Sequence, residues 1–218
     1  MIVLKNVTKQ FDGPKGKVTA LNDISVTLSA GELLAINGPS GCGKSTLLLT
    51  AAGMLRPDRG DVQLMDTFHP YDLPMEQRSR FRANSIGFVF QQFHLIPYLT
   101  VKENVMAPSL SVPETDPEQR AQELISQFGL EERELHLPSQ LSTGERQRVA
   151  LARALFLKPK IIFADEPTGN LDDENAEIVL EHLLKYVSSG GSVLLVTHNA
   201  SAANYATRVV KMKAGRLL

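Results

Sequence analysis

The 218-residue chain has no tryptophan, a single cysteine and almost no net charge. One cysteine, Cys42, excludes an intrachain disulfide, and this scarcity agrees with a reducing compartment. Lys and Arg together number 23 against 24 for Asp and Glu, so the net charge is −1. This balance supplies no general attraction to nucleic acid or to an anionic membrane surface. We therefore expect no nucleic-acid partner.

Long apolar runs are also missing. No stretch approaches the roughly 20 apolar residues that a membrane-spanning helix needs, and residues 1–8 lack the apolar centre of a signal peptide. We expect a cytoplasmic chain that lies on the inner face of the cell membrane through a partner. Because 43% of the residues are apolar, the length predicts one large domain, or one domain with an inserted subdomain.

A glycine-rich segment, residues 38–46, lies between a run that predicts a buried strand (33–36) and a run that predicts a helix (47–52). A phosphate-binding loop has this context, because its glycines let backbone N–H groups converge at the positive end of the helix dipole. The alternative is a glycine-rich turn without a ligand. The candidate nucleotide-binding residues are Gly38, Ser40, Gly41, Cys42, Gly43, Lys44, Ser45 and Thr46.

Within this loop Lys44 is expected to reach the β- and γ-phosphates of a nucleotide, and the Ser45 hydroxyl to bind Mg²⁺. Cys42 is either a small space-filling residue or a reactive thiol. Phe11, at the end of an early strand, could stack on the nucleotide base or simply pack at the strand end.

Polar side chains follow three further apolar runs: Gln91 follows 86–90, Asp165 and Glu166 follow 161–164, and His198 follows 193–196. The carboxyl ends of parallel strands share one edge of a sheet, so we expect these groups to converge on the phosphate loop. Asp165 would hold Mg²⁺ directly or through water, and Glu166 would polarise the attacking water. His198 would donate a hydrogen bond to the γ-phosphate.

Each of these groups also has a purely structural interpretation. An Asp-Glu pair can be a solvated turn or a helix cap, and a single histidine can be a satisfied structural residue. The apolar strand before Asp165 and the phosphate loop together favour the catalytic interpretation.

Residues 92–157 have a helical pattern. Thr100 to Glu103 forms a capping box that opens one helix, and helices are predicted over 117–128 and 143–157. Shorter alternating runs at 2–7 and 24–28, separated by a loop over 12–17, predict an N-terminal antiparallel sheet. We expect an α/β fold in a single domain, 1–218, with residues 1–91 and 158–218 as its core and residues 92–157 as an inserted α-helical subdomain.

The segment from Leu141 to Glu145 has two interpretations, and both depend on the free N–H groups at a helix N-terminus. Ser142 and Glu145 spell a capping box that opens a helix. A helix N-terminus is also an anion site.

In this order, the motifs resemble those of the ABC-transporter nucleotide-binding domain. Residues 38–45 are similar to its Walker A motif, 141–145 to its signature motif, 161–166 to Walker B and 169–172 to the D-loop, while Gln91 resembles the Q-loop glutamine and His198 the switch histidine. The resemblance implies a P-loop NTPase fold with a RecA-like core, ATP as nucleotide, and Mg²⁺ held by Ser45, Gln91 and Asp165. It implies catalytic roles for Glu166, His198 and Gln91, and a D-loop role for Asp172.

Residues 88–105 and 164–172 are also similar to the lipoprotein-release and macrolide-efflux branch, which includes haem exporters and a cell-division ATPase. The signature departs from the usual Leu-Ser-Gly-Gly-Gln at Thr143 and Glu145. A positive φ at Thr143 would be costly. A carboxylate at Glu145 would repel a γ-phosphate unless it turns back to cap the helix.

The resemblance implies a head-to-tail dimer of two copies with two ATP molecules between them. Ser142, Thr143, Gly144 and Glu145 of one copy would face the phosphate loop of the other. A separate membrane permease would use the motion, with a periplasmic adaptor reached through it. Phe93, Leu95, Ile96 and Tyr98 are candidate permease contacts or, equally, subdomain core.

Other functions remain open at this point. A regulatory ATPase of the cell-division type would control a periplasmic activity without transport. A P-loop kinase would leave the signature and D-loop unexplained, and a DNA-repair ATPase would need a long coiled-coil insertion.

Overall fold

The computed structural model describes residues 1–14 and 16–218. Over these residues the strands are β1 (Ile2–Gly13), β2 (Gly16–Leu28), β3 (Leu33–Asn37), β4 (Arg59–Leu64), β5 (Ile86–Phe90), β6 (Ile161–Asp165), β7 (Ser192–Thr197), β8 (Arg208–Lys213) and β9 (Arg216–Leu217). The α-helices are α1 (Lys44–Ala51), α2 (Met75–Ser85), α3 (Val101–Met106), α4 (Pro117–Gln127), α5 (Thr143–Leu155), α6 (Asp173–Ser188) and α7 (Ala200–Ala203).

Strands β2, β1 and β4 form an antiparallel sheet in that order. The predicted sheet is confirmed, but its first two strands are longer than predicted. Cross-strand pairs such as Phe11 with Val18 and Asp12 with Lys17 continue the ladder through the segment where we expected a loop. The interpretation of Lys15 as part of that loop lies outside the described residues.

The second sheet has the order β5-β6-β7-β3-β8-β9, parallel except for the hairpin between β8 and β9. Strands β5, β6, β7 and β3 are neighbours, and each is followed by one of the polar segments singled out in the sequence. Phe90 pairs with Asp165, Asp165 with Val196, and Asn37 with Thr197. These four strand ends therefore form one row at a single edge of the sheet.

Both faces of the parallel sheet are covered, which explains the uninterrupted apolar runs of its strands. Alternate residues of β3 go to opposite faces: Leu33 and Ala35 pack with α3, α4, α5 and α6, and Leu34 and Ile36 pack with α1 and the antiparallel sheet. Phe163, with no exposed surface, stacks on Phe88 across β6 and β5. The sheet is the common wall of two apolar cores.

Local capping signals determine where several helices begin. Thr100 Oγ1 accepts a hydrogen bond from the Glu103 amide, and the Glu103 carboxylate accepts from the Thr100 amide at 2.7 Å, as the capping box predicts. Within residues 1–14 and 16–218, no helix combines the length and the apolar character needed to cross a bilayer.

Candidate active site

The phosphate loop is pressed against two neighbouring strands. Gly43 has φ 109°, and a Cβ on it would lie 2.2 Å from the Ala20 carbonyl oxygen of β2. A Cβ on Gly38 would lie 2.2 Å from the Met212 carbonyl oxygen of β8. Only glycine fits at either position. Cys42 is buried beside Gly38 and fills space there.

Beyond these glycines the loop opens to solvent. Ser40 and Gly41 are exposed, and within residues 1–14 and 16–218 nothing apart from its chain neighbours lies within 4 Å of the Cβ position of Gly41. Helix α1 begins at Lys44 without a side-chain cap, so its first N–H groups face this opening. Ser45 is exposed and Thr46 partly buried in the first turn of the helix.

Lys44 has only 6% of its surface exposed. Its ammonium donates to the carbonyl oxygens of Gly38 at 2.8 Å and Pro39 at 3.2 Å. It also lies 3.4 Å from Glu166 Oε1. A cation of this kind, buried beside a glycine-rich turn, is suited to phosphate oxygens.

Glu166 is held firmly at the end of β6. It adopts a left-handed φ of 47°, uncommon for a residue with a Cβ, and its amide donates to the Val196 carbonyl at 2.9 Å. Its Oε1 lies 2.9 Å from His198 Nδ1, and its Oε2 accepts from the His198 amide at 3.1 Å. The carboxylate thus connects Lys44 to His198.

Two opposing effects act on the pKa of Glu166. Desolvation by burial is the largest and raises it, but hydrogen bonds from His198 and Thr197 outweigh that effect and hold the pKa below its ordinary value. The group is therefore ionised at neutral pH, the form that accepts a hydrogen bond from water.

Ser45 and Asp165 bring two hard oxygen atoms together. Ser45 Oγ donates to Asp165 Oδ1 at 3.2 Å, and adjacent ligands of an octahedral Mg²⁺ are separated by a similar distance, about 3 Å. Desolvation raises the pKa of Asp165, and repulsion from Glu166 adds to this, while Ser45 and Lys44 oppose it. A partly buried carboxylate whose pKa is raised gains from a nearby cation, so the donor set suits Mg²⁺.

The Gln91 side chain lies beside the D-loop. Its Nε2 donates to Asn170 Oδ1 at 3.2 Å, and Asn170 Nδ2 donates back to the Gln91 carbonyl at 3.0 Å. A Cβ on Gly169 would lie 2.8 Å from the side-chain Nε2 of Gln91. This reciprocal pair connects the loop after β5 to the segment after β6.

Phe11 lies on β1 with 42% of its surface exposed. Lys9 Nζ is 5.6 Å from the ring centroid, within cation–π range. The same Lys9 ammonium is 3.0 Å from Asp58, whose second oxygen accepts from the Gln10 amide. The ring therefore lies beside Lys9 and is partly exposed to solvent.

The signature segment caps its own helix. Ser142 Oγ accepts from the Glu145 amide at 3.2 Å, and Glu145 Oε2 accepts from the Ser142 amide at 2.7 Å. Glu145 Oε1 also accepts from Arg133 Nε at 2.9 Å. Thr143 is the first residue of α5 and has no positive φ, so the strain considered for it from the sequence is absent.

Asn175 joins the signature helix to the D-loop. Asp172 caps α6 by accepting from the Asn175 amide at 2.8 Å and from its Nδ2 at 3.0 Å. Asn175 Oδ1 accepts from Arg148 at 3.2 Å, and a Cβ on Gly144 would lie 2.0 Å from that oxygen. Gly144 is therefore required for close packing of α5 on α6.

The contacts gather the sequence candidates into two groups. Lys44, Ser45, Asp165, Glu166 and His198 form one group around the row of strand ends; the signature residues and Asp172 form the other. Gln91, at the end of β5 beside the first group, is bonded to the D-loop through Asn170.

Sequence reasoning missed Asn170, Arg133 and Asn175. Asn170 lies inside the predicted D-loop, so its amide was a signal that could have been used. Asn175 lies three residues after Asp172, so its part in the cap of α6 was a local signal, whereas its contact with Arg148 depends on packing between helices. Arg133 carries no local signal, because its partner Glu145 is brought to it by the packing of the insertion.

A glycine-rich loop at a helix N-terminus, followed across a parallel sheet by a partly buried Asp-Glu pair, defines a P-loop nucleoside triphosphatase. The sequence model described as "ABC transporter" matches residues 21–169. Lipoprotein-releasing system ATP-binding protein LolD 1 of Rhodopirellula baltica is 42% identical over 94% of this chain and 90% of its own length. The chain therefore belongs to the ABC transporter ATP-binding family and is an ATPase.

Two further relatives are informative. The macrolide export ATP-binding/permease protein MacB of Chlorobium phaeobacteroides is 40% identical, with all of this chain covering 33% of that longer protein. Among solved structures, a dimeric post-hydrolysis state of the cassette MJ0796 bound to ADP and Pi is 38% identical. It superposes with a TM-score of 0.92 over 100% of this chain and 96% of that one, which confirms the predicted fold.

Proposed function

We propose that this chain is the ATP-hydrolysing subunit of a lipoprotein-release or efflux system and drives a separate membrane permease. The observation that carries the proposal is the connected group Lys44, Glu166 and His198, beside the Ser45 and Asp165 oxygens, at one row of strand ends. The LolD and MacB relatives support the branch.

In this proposal the chain's own groups divide the chemistry. Lys44 and the free N–H groups of α1 hold the β- and γ-phosphates. Glu166 orients and accepts a proton from the attacking water. His198, whose Nδ1 lies 2.9 Å from Glu166 Oε1, donates a hydrogen bond to a phosphate oxygen.

Ser45, Asp165 and Gln91 would hold Mg²⁺, directly or through water. When bound, Mg²⁺ neutralises negative charge on the phosphate oxygens. Gln91 can contact Mg²⁺ only if its side-chain amide leaves Asn170. We therefore assign Gln91 the metal contact that lies farthest from Ser45 and Asp165. Phe11 would stack on the base.

Two copies would bind head to tail, with Ser142 to Glu145 of one copy facing the phosphate loop of the other. The dimeric state of the cassette MJ0796 bound to ADP and Pi supports association of two copies. We propose that residues 92–157 act as the helical subdomain carrying this segment, with 1–91 and 158–218 as the core, and that Asp172 transmits movement between them through Asn175.

An apolar groove of about 290 Å³ between α2, β5 and the end of α5 would receive the permease. Its lining includes Ala83, Phe88, Pro108, Arg153 and Leu157. Tyr98, 78% exposed, remains a permease contact candidate, whereas Leu95 packs against the core cluster. Phe93 and Ile96 are partly buried and fit either role.

Docking there would keep the chain on the inner membrane face, with any periplasmic adaptor reached through the permease. The alternative is a regulatory role of the cell-division type. The protein that co-purifies decides between them: a permease with a substrate path supports transport, and a membrane protein that only activates a periplasmic enzyme supports regulation.

The catalytic assignment is tested with Glu166→Gln. Because the amide cannot accept the proton, we expect ATP hydrolysis to fall by about 10²- to 10⁴-fold, while nucleotide affinity changes by less than about threefold, because Lys44 and the loop remain. Glu181→Gln, an exposed change on α6, is the matched control. Undiminished hydrolysis by Glu166→Gln would overturn the assignment.

A further inference from the structure

Arg153, on the last turns of α5, holds the backbone of the loop that follows Gln91; Arg146 of the same helix contacts this loop only through the Phe93 ring, 5.8 Å from the ring centroid. One terminal nitrogen donates to the His94 carbonyl at 2.6 Å and the other to the Phe93 carbonyl at 2.7 Å. Both partners are backbone oxygens of the segment that follows Gln91. The guanidinium fork thus fixes two successive peptide groups at once.

The His94 backbone shows that this fixation is needed. Its φ of 46° is left-handed, a conformation that costs a residue with a Cβ about 1 kcal/mol or more. Such a conformation persists where surrounding contacts over-determine it. The Arg153 bond to the His94 carbonyl and the edge contact of the His94 ring with Phe90, 5.1 Å between centroids, supply those contacts.

The far end of the same loop is anchored by Asn104 of α3, which is completely buried. Its Oδ1 accepts from the Ile96 amide at 2.8 Å, and its Nδ2 donates to the carbonyls of Ile96, Leu99 and Thr100 at 2.9 to 3.1 Å. From Phe93 to Thr100 the loop is therefore tied to helices of the insertion. Gln91, bonded to Asn170, is tied to the segment after β6.

Gln91 and Gln92 thus connect the segment after β6 to the helical insertion. Arg153 bonds to the carbonyls of Phe93 and His94, directly after these two glutamines. It also lines the apolar groove between α2, β5 and α5. A group that enters the groove meets the same side chain that holds the Phe93 and His94 carbonyls.

We propose that Arg153 is a positioning residue that clamps the segment after Gln91 to the signature helix and passes movement of the groove to Gln91. The inference rests on the proposed roles of Gln91 and of the groove. It assigns Arg153 no contact with nucleotide.

Arg120, on α4, provides a matched control, because its bonds are made to the same helix, α5. Its guanidinium also donates to two backbone carbonyls, those of Phe156 at 3.2 Å and Leu155 at 3.1 Å, at the end of α5. It touches no residue of the loop after Gln91 through these bonds. Losing it removes the same kind of interaction from the same helix.

The test compares Arg153→Met and Arg153→Lys with Arg120→Met and Arg120→Lys in the full chain. Amide hydrogen exchange is followed over residues 91–99, where the Ile96 and Leu99 amides are hydrogen-bonded, and steady-state ATPase kinetics give kcat and KM separately. For Arg153→Met we expect exchange over 91–99 to rise about tenfold and kcat to fall about tenfold, with KM within about twofold. Arg153→Lys, which has one ammonium in place of the fork, should lie between wild type and Met.

The Arg120 variants should leave exchange over 91–99 and kcat unchanged, even where they lower the melting temperature. Equal effects from Arg153 and Arg120 variants, or no change over 91–99 in Arg153→Lys, would overturn the proposal. If Arg153→Met does not fold, the lysine variant decides. Gln91→Ala separates the two hypotheses: wild-type kcat there would overturn the catalytic role of Gln91, whereas exchange over 91–99 still measures the Arg153 clamp.

Discussion

Helices α1 and α5 both begin at a candidate phosphate-contacting motif, but their first turns are built in opposite ways. Helix α1 follows Gly43, has no side-chain cap and has no acidic residue in its first turn. Helix α5 follows Ser142, is closed by a complete capping box, and carries Glu145 in its first turn. One N-terminus leaves its N–H groups for a ligand, and the other satisfies part of its own.

This difference explains how one chain can hold both halves of a composite site without each half binding nucleotide equally. The open turn of α1, with the buried Lys44 ammonium beside it, favours an anion strongly. The closed turn of α5 has a carboxylate of its own, whose charge is offset by Arg133 at 2.9 Å. We infer that α1 sets nucleotide affinity and α5 sets how tightly a second copy closes on it.

The largest effect, on nucleotide affinity, is expected from Lys44→Ala, which removes the cation at the uncapped N-terminus of α1. Charge-assisted bonds to phosphate are lost, so nucleotide affinity should fall by about 100-fold. Titration of a fluorescent ATP analogue measures this. Lys185→Ala, an exposed change on α6, should have no effect, and an affinity within threefold of wild type for Lys44→Ala would break the comparison.

Ser142→Ala removes the side-chain cap from the N-terminus of α5. The Glu145 amide loses its acceptor, so we expect a loss of about 1 kcal/mol and a melting temperature about 2 to 4 °C lower. ATP-induced dimerisation, followed by size-exclusion chromatography in the Glu166→Gln background, should weaken, while monomer affinity for nucleotide stays the same. Ser142→Thr, which keeps a hydroxyl cap, should restore stability; a drop in monomer affinity would contradict the division of roles.

The smallest effect is expected from Glu145→Gln, which keeps a capping side chain but removes its charge. Burial raises the pKa of Glu145, but hydrogen bonds from Ser142 and Arg133 outweigh burial and leave the pKa below its ordinary value of 4.5. A lowered carboxyl pKa contributes stability above 4.5 that is lost as the pH falls through the folded-state pKa. The variant should therefore be less stable than wild type at pH 7, by about 0.5 to 1 kcal/mol, and the difference should vanish in acid.

Urea unfolding at neutral and acidic pH measures that difference. Dimerisation with ATP should strengthen in Glu145→Gln, because the carboxylate is gone from the closing surface. A stability difference that persists unchanged below pH 4 would show that the charge is not its source.

Much of the fold follows from short-range patterns. Apolar runs marked the buried parallel strands, and because such strands end at a common edge, the row of polar groups was predictable as well. The capping boxes at Thr100 and Ser142 were also predicted, since they depend on residues three apart.

Long-range pairings were out of reach of those patterns. Gln91 and Asn170 are 79 positions apart, and their pairing depends on how two loops meet. The extension of β1 and β2 was missed because cross-strand pairing outweighed the loop tendency of a Gly/Pro/Lys-rich segment. Helix α7 was missed because its four residues are too few to show a period.

The alignment of β5, β6, β7 and β3 in one register has a consequence for how the chain tolerates changes in length. A residue inserted within β6 would turn every later side chain of that strand to the opposite face, moving Asp165 away from Ser45. Residues inserted in the exposed connector between α3 and α4 would leave the row untouched. The distance along the chain between motifs is therefore free to vary, whereas the number of residues inside each strand is not.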